Sequence, residues 1–317
     1  MPSEDIENGS ASFDRAWEDT LILSIRDLQW NTYIRGIYPQ LTTFNFQVLK
    51  ERPVIQSPLL KLDGNAESAV GDFTMRDGER YFIFEAKADE EAFKTEAKKP
   101  LYQMMRLLLT QAGKNNSPSY AKFQDLSKRG HFVVYPEVNI KQLDYFDENK
   151  EITKIPIQVR YFPYLEGVRV LEKSANTTSV AKNNFTDIST FQAAASIGLA
   201  GHEMAAYIDF LRGTHEGFAD VDGKGVSYPM KAVLCGDMGF CLQFFDMKSL
   251  LLLTKLFGGR VGAANAVQDT LEFAKIQMTG KMKGYRVELE NQKKLDAEEK
   301  VSNSTQGNIV IGNGGHS

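Results

Sequence analysis

Two acidic residues and a lysine fall close together in one short stretch of this 317-residue chain. The dipeptide Asp77-Gly78 is typical of a tight hairpin turn, and the residues on either side of it read as two strands. Every second residue of a strand shares a face, so Asp72, Glu85 and Lys87 are predicted to point to the same side. Two carboxylates and an ammonium group there could hold a hard divalent cation beside a water molecule.

A turn at Asp77 and Gly78 also fixes which residues face one another. It makes Asp72 and Glu85 diagonal neighbours, with backbones roughly 7–8 Å apart, a gap that their side chains can close. The predicted cross-strand pairs are Arg76 with Glu79, Thr74 with Tyr81, and Asp72 with Ile83.

Both faces of this hairpin carry apolar residues. Carboxylates in such surroundings need compensating charge, which a metal ion would supply. A salt bridge from Lys87 to one of the acids is the alternative, and the sequence leaves both open. The core face is predicted to carry Phe73, Met75, Phe82, Phe84 and Ala86, while Val70, Tyr81 and Ile83 share the acidic face.

Asp72, followed by Glu85-Ala86-Lys87 at the end of a hydrophobic strand, resembles the Asp…(Asp/Glu)-x-Lys signature of the PD-(D/E)XK nucleases. These proteins have the restriction-endonuclease-like fold. The resemblance implies that Asp72, Glu85 and the Ala86 carbonyl bind Mg²⁺ or Mn²⁺. It implies that Lys87 positions or activates the attacking water, and that DNA is the substrate.

Many members of that family add two further residues to the site. One is a glutamate from the first helix, which Glu18 would supply, with Glu67 as its competitor. The other is a glutamine from the helix after the lysine, which Gln103 would supply. Leu107 stands where one nuclease branch has a tyrosine, so the resemblance does not extend to the RecB-type subgroup.

The family core is a mixed sheet flanked by helices, in the order helix, three strands, helix, strand. This chain supplies that order over about residues 12–140. The predicted elements are an amphipathic helix from Phe13 to Leu28, a strand at 44–49, the hairpin, a helix from Asp89 past Pro100 to Gly113, and a strand over 131–138.

The fold class is therefore predicted as α/β, a restriction-endonuclease-like mixed sheet followed by a second, mostly helical region. In that second region, 230–245 reads as another hairpin and 263 to about 282 as a helix. The predicted divisions are a flexible N-terminus at 1–11, a nuclease-like domain at 12–170, a helix-rich domain for oligomerisation or partner binding at 171–288, and a mobile tail at 289–317.

Composition narrows the function classes. The net charge of −4 does not indicate a nucleic-acid binder, although a local patch of Lys94, Lys98, Lys99 and Lys114 could meet phosphates. No stretch is apolar enough to span a bilayer, and two cysteines fit a cytoplasmic protein with free thiols.

Two other enzyme classes lack their motifs. His202-Glu203 has no second histidine at the zincin position, which Ala206 occupies, and no phosphate-binding Gly-rich loop occurs. The prediction is a metal-dependent DNA nuclease that acts as a homo-oligomer or with a partner subunit. Two rivals remain: a nuclease-fold binding subunit that cleaves nothing alone, and a scaffold in which the hairpin is purely structural.

Overall fold

The computed structural model describes twelve stretches and two single residues of the chain. They are 21–22, 25, 59–61, 65–77, 80–89, 91–114, 117–138, 157–173, 186–187, 196–220, 226, 228–235, 241–246 and 261–307. Glu18, the segment 1–11, the strand expected at 44–49 and most of the expected first helix lie outside these residues. Of that helix, Leu21, Ile22 and Ile25 are described, and all three are helical and buried.

The helices are given by their bounds. They are α1 (Asn65–Val70), a 3-10 helix (Glu91–Lys98), α2 (Pro100–Lys114), α3 (Pro118–Gly130), α4 (Tyr164–Lys173), α5 (Gly201–Ala219) and α6 (Val261–Gly307). The strands are β1 (Leu59–Lys61), β2 (Phe73–Asp77), β3 (Arg80–Ala86), β4 (His131–Val138), β5 (Ile157–Pro163), β6 (Thr186–Asp187), β7 (Leu199–Ala200), β8 (Pro229–Cys235) and β9 (Cys241–Asp246).

The fold is α/β, built on a mixed sheet. Within the described residues, β1 to β6 lie in chain order across the sheet, and β7 pairs with the start of β3. The pairing of β3 with β4 is parallel, whereas the other pairings in this sheet are antiparallel. Parallel neighbours require a crossover, and the 3-10 helix, α2 and α3 form it.

Strand β3 is buried on both faces, as the apolar pattern predicted. Phe82, Phe84 and Ala86 pack in one hydrophobic cluster with Leu21 and Ile25, which belong to the helix predicted from Phe13 to Leu28. Tyr81 and Ile83 belong to a second cluster, on the opposite face, with residues of the crossover helices. Glu85 and Lys87 share the parity of this second group, so the acidic face is the one that the helices cover.

The crossover differs from the single helix expected between Asp89 and Gly113. The chain forms a 3-10 turn first, and α2 begins at Pro100, because proline has no amide hydrogen to donate within a helix. The sequence reading also missed α3, although Ser117 caps it by accepting from the Ser119 amide at 3.3 Å and Pro118 follows. The strand expected over 131–138 is confirmed at both ends.

The second region packs on the first. Residues of α5 and α6, including Tyr207, Phe210 and Met278, belong to the same hydrophobic cluster as Ile83 and Phe123. The boundary expected at 170/171 falls inside α4. The predicted hairpin is present as β8 and β9, in which Cys235 and Cys241 are cross-strand partners.

Helix α6 is much longer than the helix expected to end near Met282 and fade into a tail from 289. It continues to Gly307 and spans 47 residues. Within the stretches given above, no helix combines the length and the apolarity needed to cross a membrane.

Candidate active site

The β2–β3 register places the acidic residues, and it differs from the predicted one. Asp77 pairs with Arg80 and Arg76 with Tyr81, so Asp77 belongs to β2 and each partner lies two residues further along the chain than expected. The predicted pairs of Arg76 with Glu79, Thr74 with Tyr81 and Asp72 with Ile83 are therefore wrong, and Ile83 pairs with Thr74 instead. Contacts distant in sequence hold Arg80 within the strand: it pairs with Ala200 of β7, and its Nη1 donates to the Ile197 carbonyl at 3.0 Å.

The shift does not separate the acids. Each cross-strand partner moves by two residues, and side chains alternate with a period of two, so no residue changes face. Asp72 lies immediately before β2, and its amide donates to the Phe84 carbonyl at 2.9 Å. Its Oδ2 accepts from the Ala86 amide at 2.6 Å. The Asp72 carboxylate is thus fixed to the strand end that carries Glu85 and Lys87.

Glu85 and Lys87 form an ion network with two residues from the crossover. Lys87 Nζ lies 2.7 Å from Glu85 Oε1 and 2.9 Å from Glu96 Oε1. Lys99 Nζ approaches the same two oxygens, at 2.6 Å and 3.0 Å. The salt bridge considered as an alternative from the sequence therefore exists in this structure, with Glu85 as the acid.

Glu96 and Lys99 were not predicted as partners of Glu85. The sequence indicated Lys99 only as a phosphate contact and indicated no role for Glu96. Residues three apart eclipse one another in a 3-10 helix, so Phe93 and Glu96 lie along one side of it. Lys99 follows one residue after its end, and the Lys99 amide donates to the Glu96 carbonyl at 2.7 Å. Phe93 and Glu96 are both buried, and a three-residue period starting at an aromatic residue is the signal that could have found them.

Burial and crowding shift the pKa values of the acids. Burial raises the pKa of Glu85 to about 8, and the carboxylates of Asp72 and Glu96 add to the rise against the opposing lysines. Burial also raises the pKa of Asp72 to about 6. Burial would raise the pKa of Glu96 as well, but the Lys87 and Lys99 ammonium groups outweigh it and lower that pKa.

Both lysines stay charged at neutral pH. Burial opposes the ammonium form of Lys87, but the carboxylates of Glu85, Glu96 and Asp72 raise its pKa above the ordinary value. The pKa of Lys99 is raised for the same reason, chiefly by Glu85 and Glu96 against burial. The face thus presents two fixed positive charges beside three carboxyl groups.

Aromatic side chains of β4, α4 and α5 pack beside this network. The Tyr164 hydroxyl donates to Glu96 Oε2 at 3.1 Å, and the Tyr164 ring stacks on His131 with 4.8 Å between centroids. His131 Nδ1 lies 3.2 Å from the Tyr207 hydroxyl. Full burial lowers the pKa of His131 to about 3, so the imidazole is neutral. His131 and Tyr164 were also missed, because β4 and α4 meet the network only in the folded chain.

The remaining predicted site residues are distributed differently. Gln103 lies on α2, as predicted, but its Nε2 donates to the Ala97 carbonyl and no contact joins it to Glu85 or Lys87 within the described residues. Glu67 lies on α1, and its charge contributes to the raised pKa of Asp72. Lys94 and Lys98 are exposed on the 3-10 helix. Lys114 ends α2, and its side chain lies outside the described residues.

The donor set fits a hard cation in chemistry, although not as a ready-made cage. Among the residues described here, no three His, Cys, Asp or Glu side chains are arranged to hold a metal. However, three carboxyl groups lie beside two ammonium groups, and the buried Glu96 Oε1 is within 3.0 Å of both nitrogens. The Ala86 amide points at Asp72, and in an extended strand the carbonyl of the same residue leaves on the same edge. Oxygen ligands of this kind suit Mg²⁺ and Mn²⁺.

No family model, curated protein or solved structure matches this chain. The functional argument therefore depends on the residues and the geometry described above.

Proposed function

We propose that this protein is a metal-dependent nuclease that hydrolyses phosphodiester bonds, with DNA as the expected substrate. The observation that carries the proposal is the hydrogen bond from the Ala86 amide to Asp72 Oδ2, which ties one acid to the strand end that bears Glu85 and Lys87. Two acids and a lysine at one strand end match the donor set that the resemblance to PD-(D/E)XK nucleases implies.

The fold proposed with this function is restriction-endonuclease-like. The β2–β3 hairpin, the helical crossover after Lys87 and the parallel strand β4 follow the order expected from that resemblance. Two features are additional to it: α1 lies between β1 and β2, and the crossover begins with a 3-10 helix that brings Glu96 into the site.

In the proposed mechanism, Asp72, Glu85 and the Ala86 carbonyl would hold Mg²⁺ or Mn²⁺. A bound metal would polarise the phosphate and lower the pKa of water. Lys87 has three N–H donors and contacts Glu85 and Glu96, so it can hold a water or a phosphate oxygen beside the acids. Its permanent positive charge would stabilise the negative charge that develops in the transition state.

The test is cleavage of plasmid DNA, linear DNA and RNA with Mg²⁺ or Mn²⁺ as the only added cofactor. The wild type should cut, and Asp72→Asn, Glu85→Gln and Lys87→Met should each reduce the rate by about 10²-fold or more. The first two remove proposed metal ligands, and the third removes the positive charge proposed to stabilise the transition state. Glu91→Gln is the matched control, since Glu91 is an exposed carboxylate on the 3-10 helix that follows Lys87.

Circular dichroism should show that each variant is folded. Cleavage that survives all three substitutions in folded protein would contradict the proposal, as would cleavage that needs no divalent metal.

A second candidate is a scaffold or oligomer-forming subunit in which the hairpin is purely structural. The observation that favours it is the closed ion network, in which Lys87 and Lys99 both contact Glu85. On this alternative, Mn²⁺ should leave the melting temperature unchanged. The melting temperature would rise only if Mn²⁺ bound the folded chain in preference to the unfolded chain.

A further inference from the structure

Two ammonium groups in this site contact the same pair of oxygens from different depths. Lys87, at the end of β3, has a side chain that is 7% exposed, and its carboxylate partners Glu85 and Glu96 are 1% and 0% exposed. The Lys99 side chain, by contrast, is 35% exposed. Lys99 therefore covers the outer side of the carboxylate pair and is the only one of the four side chains that reaches solvent substantially.

The backbone holds Lys99 at this position but leaves its side chain free to move. The Lys99 amide donates to the Glu96 carbonyl at 2.7 Å, and the Gln103 amide donates to the Lys99 carbonyl, so the residue links the 3-10 helix to α2. Four rotatable side-chain bonds separate that fixed backbone from the ammonium group. The ammonium can leave Glu85 and Glu96 without any movement of the strands or helices.

The charges show what could replace it. Asp72, Glu85 and Glu96 supply three carboxylates, whereas Lys87 and Lys99 supply two positive charges. A divalent cation in place of the Lys99 ammonium would make the ionised group neutral. Glu96 Oε1 lies 2.9 Å from Lys87 Nζ and 3.0 Å from Lys99 Nζ, so departure of the Lys99 ammonium would leave this buried oxygen with one cationic partner and room for another.

We infer that the Lys99 ammonium occupies the place of a divalent cation, which displaces it and takes Glu96 as a further carboxylate ligand beside Glu85. The displaced lysine lies at the mouth of the site, where it can contact an anionic substrate group such as a phosphate. This inference deepens the proposed function and rests on the same metal site. It adds Glu96, which lies after the motif lysine, and gives Lys99 a role as the competitor of the metal.

The experiment is calorimetric titration of the purified full-length chain with Mn²⁺ alone, together with the melting temperature as Mn²⁺ is increased. Lys99→Met removes the competing charge while keeping most of the side-chain length. It should bind Mn²⁺ on the order of tenfold more tightly, because a site that is blocked part of the time binds more weakly in proportion. Without Mn²⁺ it should melt lower than the wild type, and with Mn²⁺ its melting temperature should rise further.

Three other variants separate the roles. Glu96→Gln should weaken Mn²⁺ binding by about tenfold or more, because it removes an ionised ligand. Lys99→Arg keeps the charge and should bind within about twofold of the wild type, which also guards against poor folding of Lys99→Met. Lys94→Met changes an exposed lysine of the 3-10 helix and should bind Mn²⁺ as tightly as the wild type does.

Unchanged or weaker Mn²⁺ binding by Lys99→Met would overturn the inference, and so would a Glu96→Gln variant that binds like the wild type or a chain that binds no Mn²⁺ at millimolar concentration. Failure of the proposed function looks different. If Mn²⁺ binds with the expected order of affinities and no nucleic acid is cut, the cation exchange stands and the nuclease proposal fails.

Discussion

The Glu85 carboxylate is stabilised by two ion pairs and destabilised by its burial. Its Oε1 lies 2.7 Å from Lys87 Nζ and 2.6 Å from Lys99 Nζ, yet burial and the neighbouring acids raise its pKa to about 8. Buried charges of this kind are weak evidence for stability, because desolvation opposes the attraction between them. Their retention here is consistent with a site that is built to bind charge.

The raised pKa values predict how stability depends on pH. Asp72 and Glu85 have ordinary pKa values of 3.8 and 4.5, and the fold raises them to about 6 and about 8. Between these limits the folded chain holds more protons than the unfolded chain, so these two groups make the free energy of unfolding fall as pH rises. Glu85→Gln should flatten this decline between about pH 4.5 and 8, measured by urea denaturation at several pH values without metal.

The matched control is Glu91→Gln, which changes an exposed carboxylate and should keep the wild-type pH profile. A Glu85→Gln profile parallel to that of the wild type would show that Glu85 titrates normally in the folded chain.

At the scale of elements, the site depends on a crossover that begins in a particular way. The Asp89 Oδ1 accepts from the Ala92 amide at 2.6 Å and starts the 3-10 helix, and Pro100 ends it by starting α2. The three-residue period between these points turns Glu96 inward. An α-helix over the same residues would have 3.6 residues per turn. Residues three apart, such as Phe93 and Glu96, would then not be aligned along one side.

The packing of α5 on α6 gives the element-scale prediction. A Cβ atom at Gly217 would lie 2.5 Å from the Thr279 carbonyl oxygen, which belongs to the backbone of α6 and cannot rotate away. Gly217→Ala should therefore push the two helices apart and lower the free energy of unfolding by about 1–3 kcal/mol. Chemical denaturation measures this change directly.

Gly280 is the matched control on α6, because a Cβ atom there would meet nothing within 4 Å. Gly280→Ala should raise the free energy of unfolding by about 0.5–1 kcal/mol, the ordinary helix-propensity gain. Equal effects of the two substitutions would contradict close contact between the helices.

At the scale of the whole molecule, the sheet and the later helices share one core. Met278 of α6 is fully buried in the same cluster as Ile83 of β3 and Phe123 of α3. A core that is shared in this way favours a single cooperative unit, because neither part can bury its apolar face without the other.

Met278→Ala should lower the free energy of unfolding by about 2–5 kcal/mol, the range for emptying a buried methionine site. Far-UV and near-UV circular dichroism should report coincident transitions for the wild type and the variant. Ile276→Ala is the control, since Ile276 is 61% exposed on the same helix and should change stability by no more than about 0.5 kcal/mol. Two separate transitions would instead make 171–288 an independent domain.

The sequence alone determined features that depend on local period and local chemistry. The shared face of Asp72, Glu85 and Lys87 follows from alternation along strands. For that reason this prediction holds although the predicted cross-strand pairs were wrong. The bounds of β4 and the hairpin of β8 with β9 were read in the same way, from apolar and β-branched runs between turn residues.

Only the tertiary structure decided which other charges join those three residues. Glu96 and Lys99 reach Glu85 because the crossover folds back over the strand end, and Tyr164 reaches Glu96 from a helix 68 residues further along the chain. The pairing of Asp77 with Arg80 is likewise supported by β7, whose Ala200 pairs with Arg80 from more than a hundred residues further along the chain. The physical reason is that parity along a strand is fixed by the backbone of that strand, whereas the partners of a buried charge are fixed by packing between distant segments.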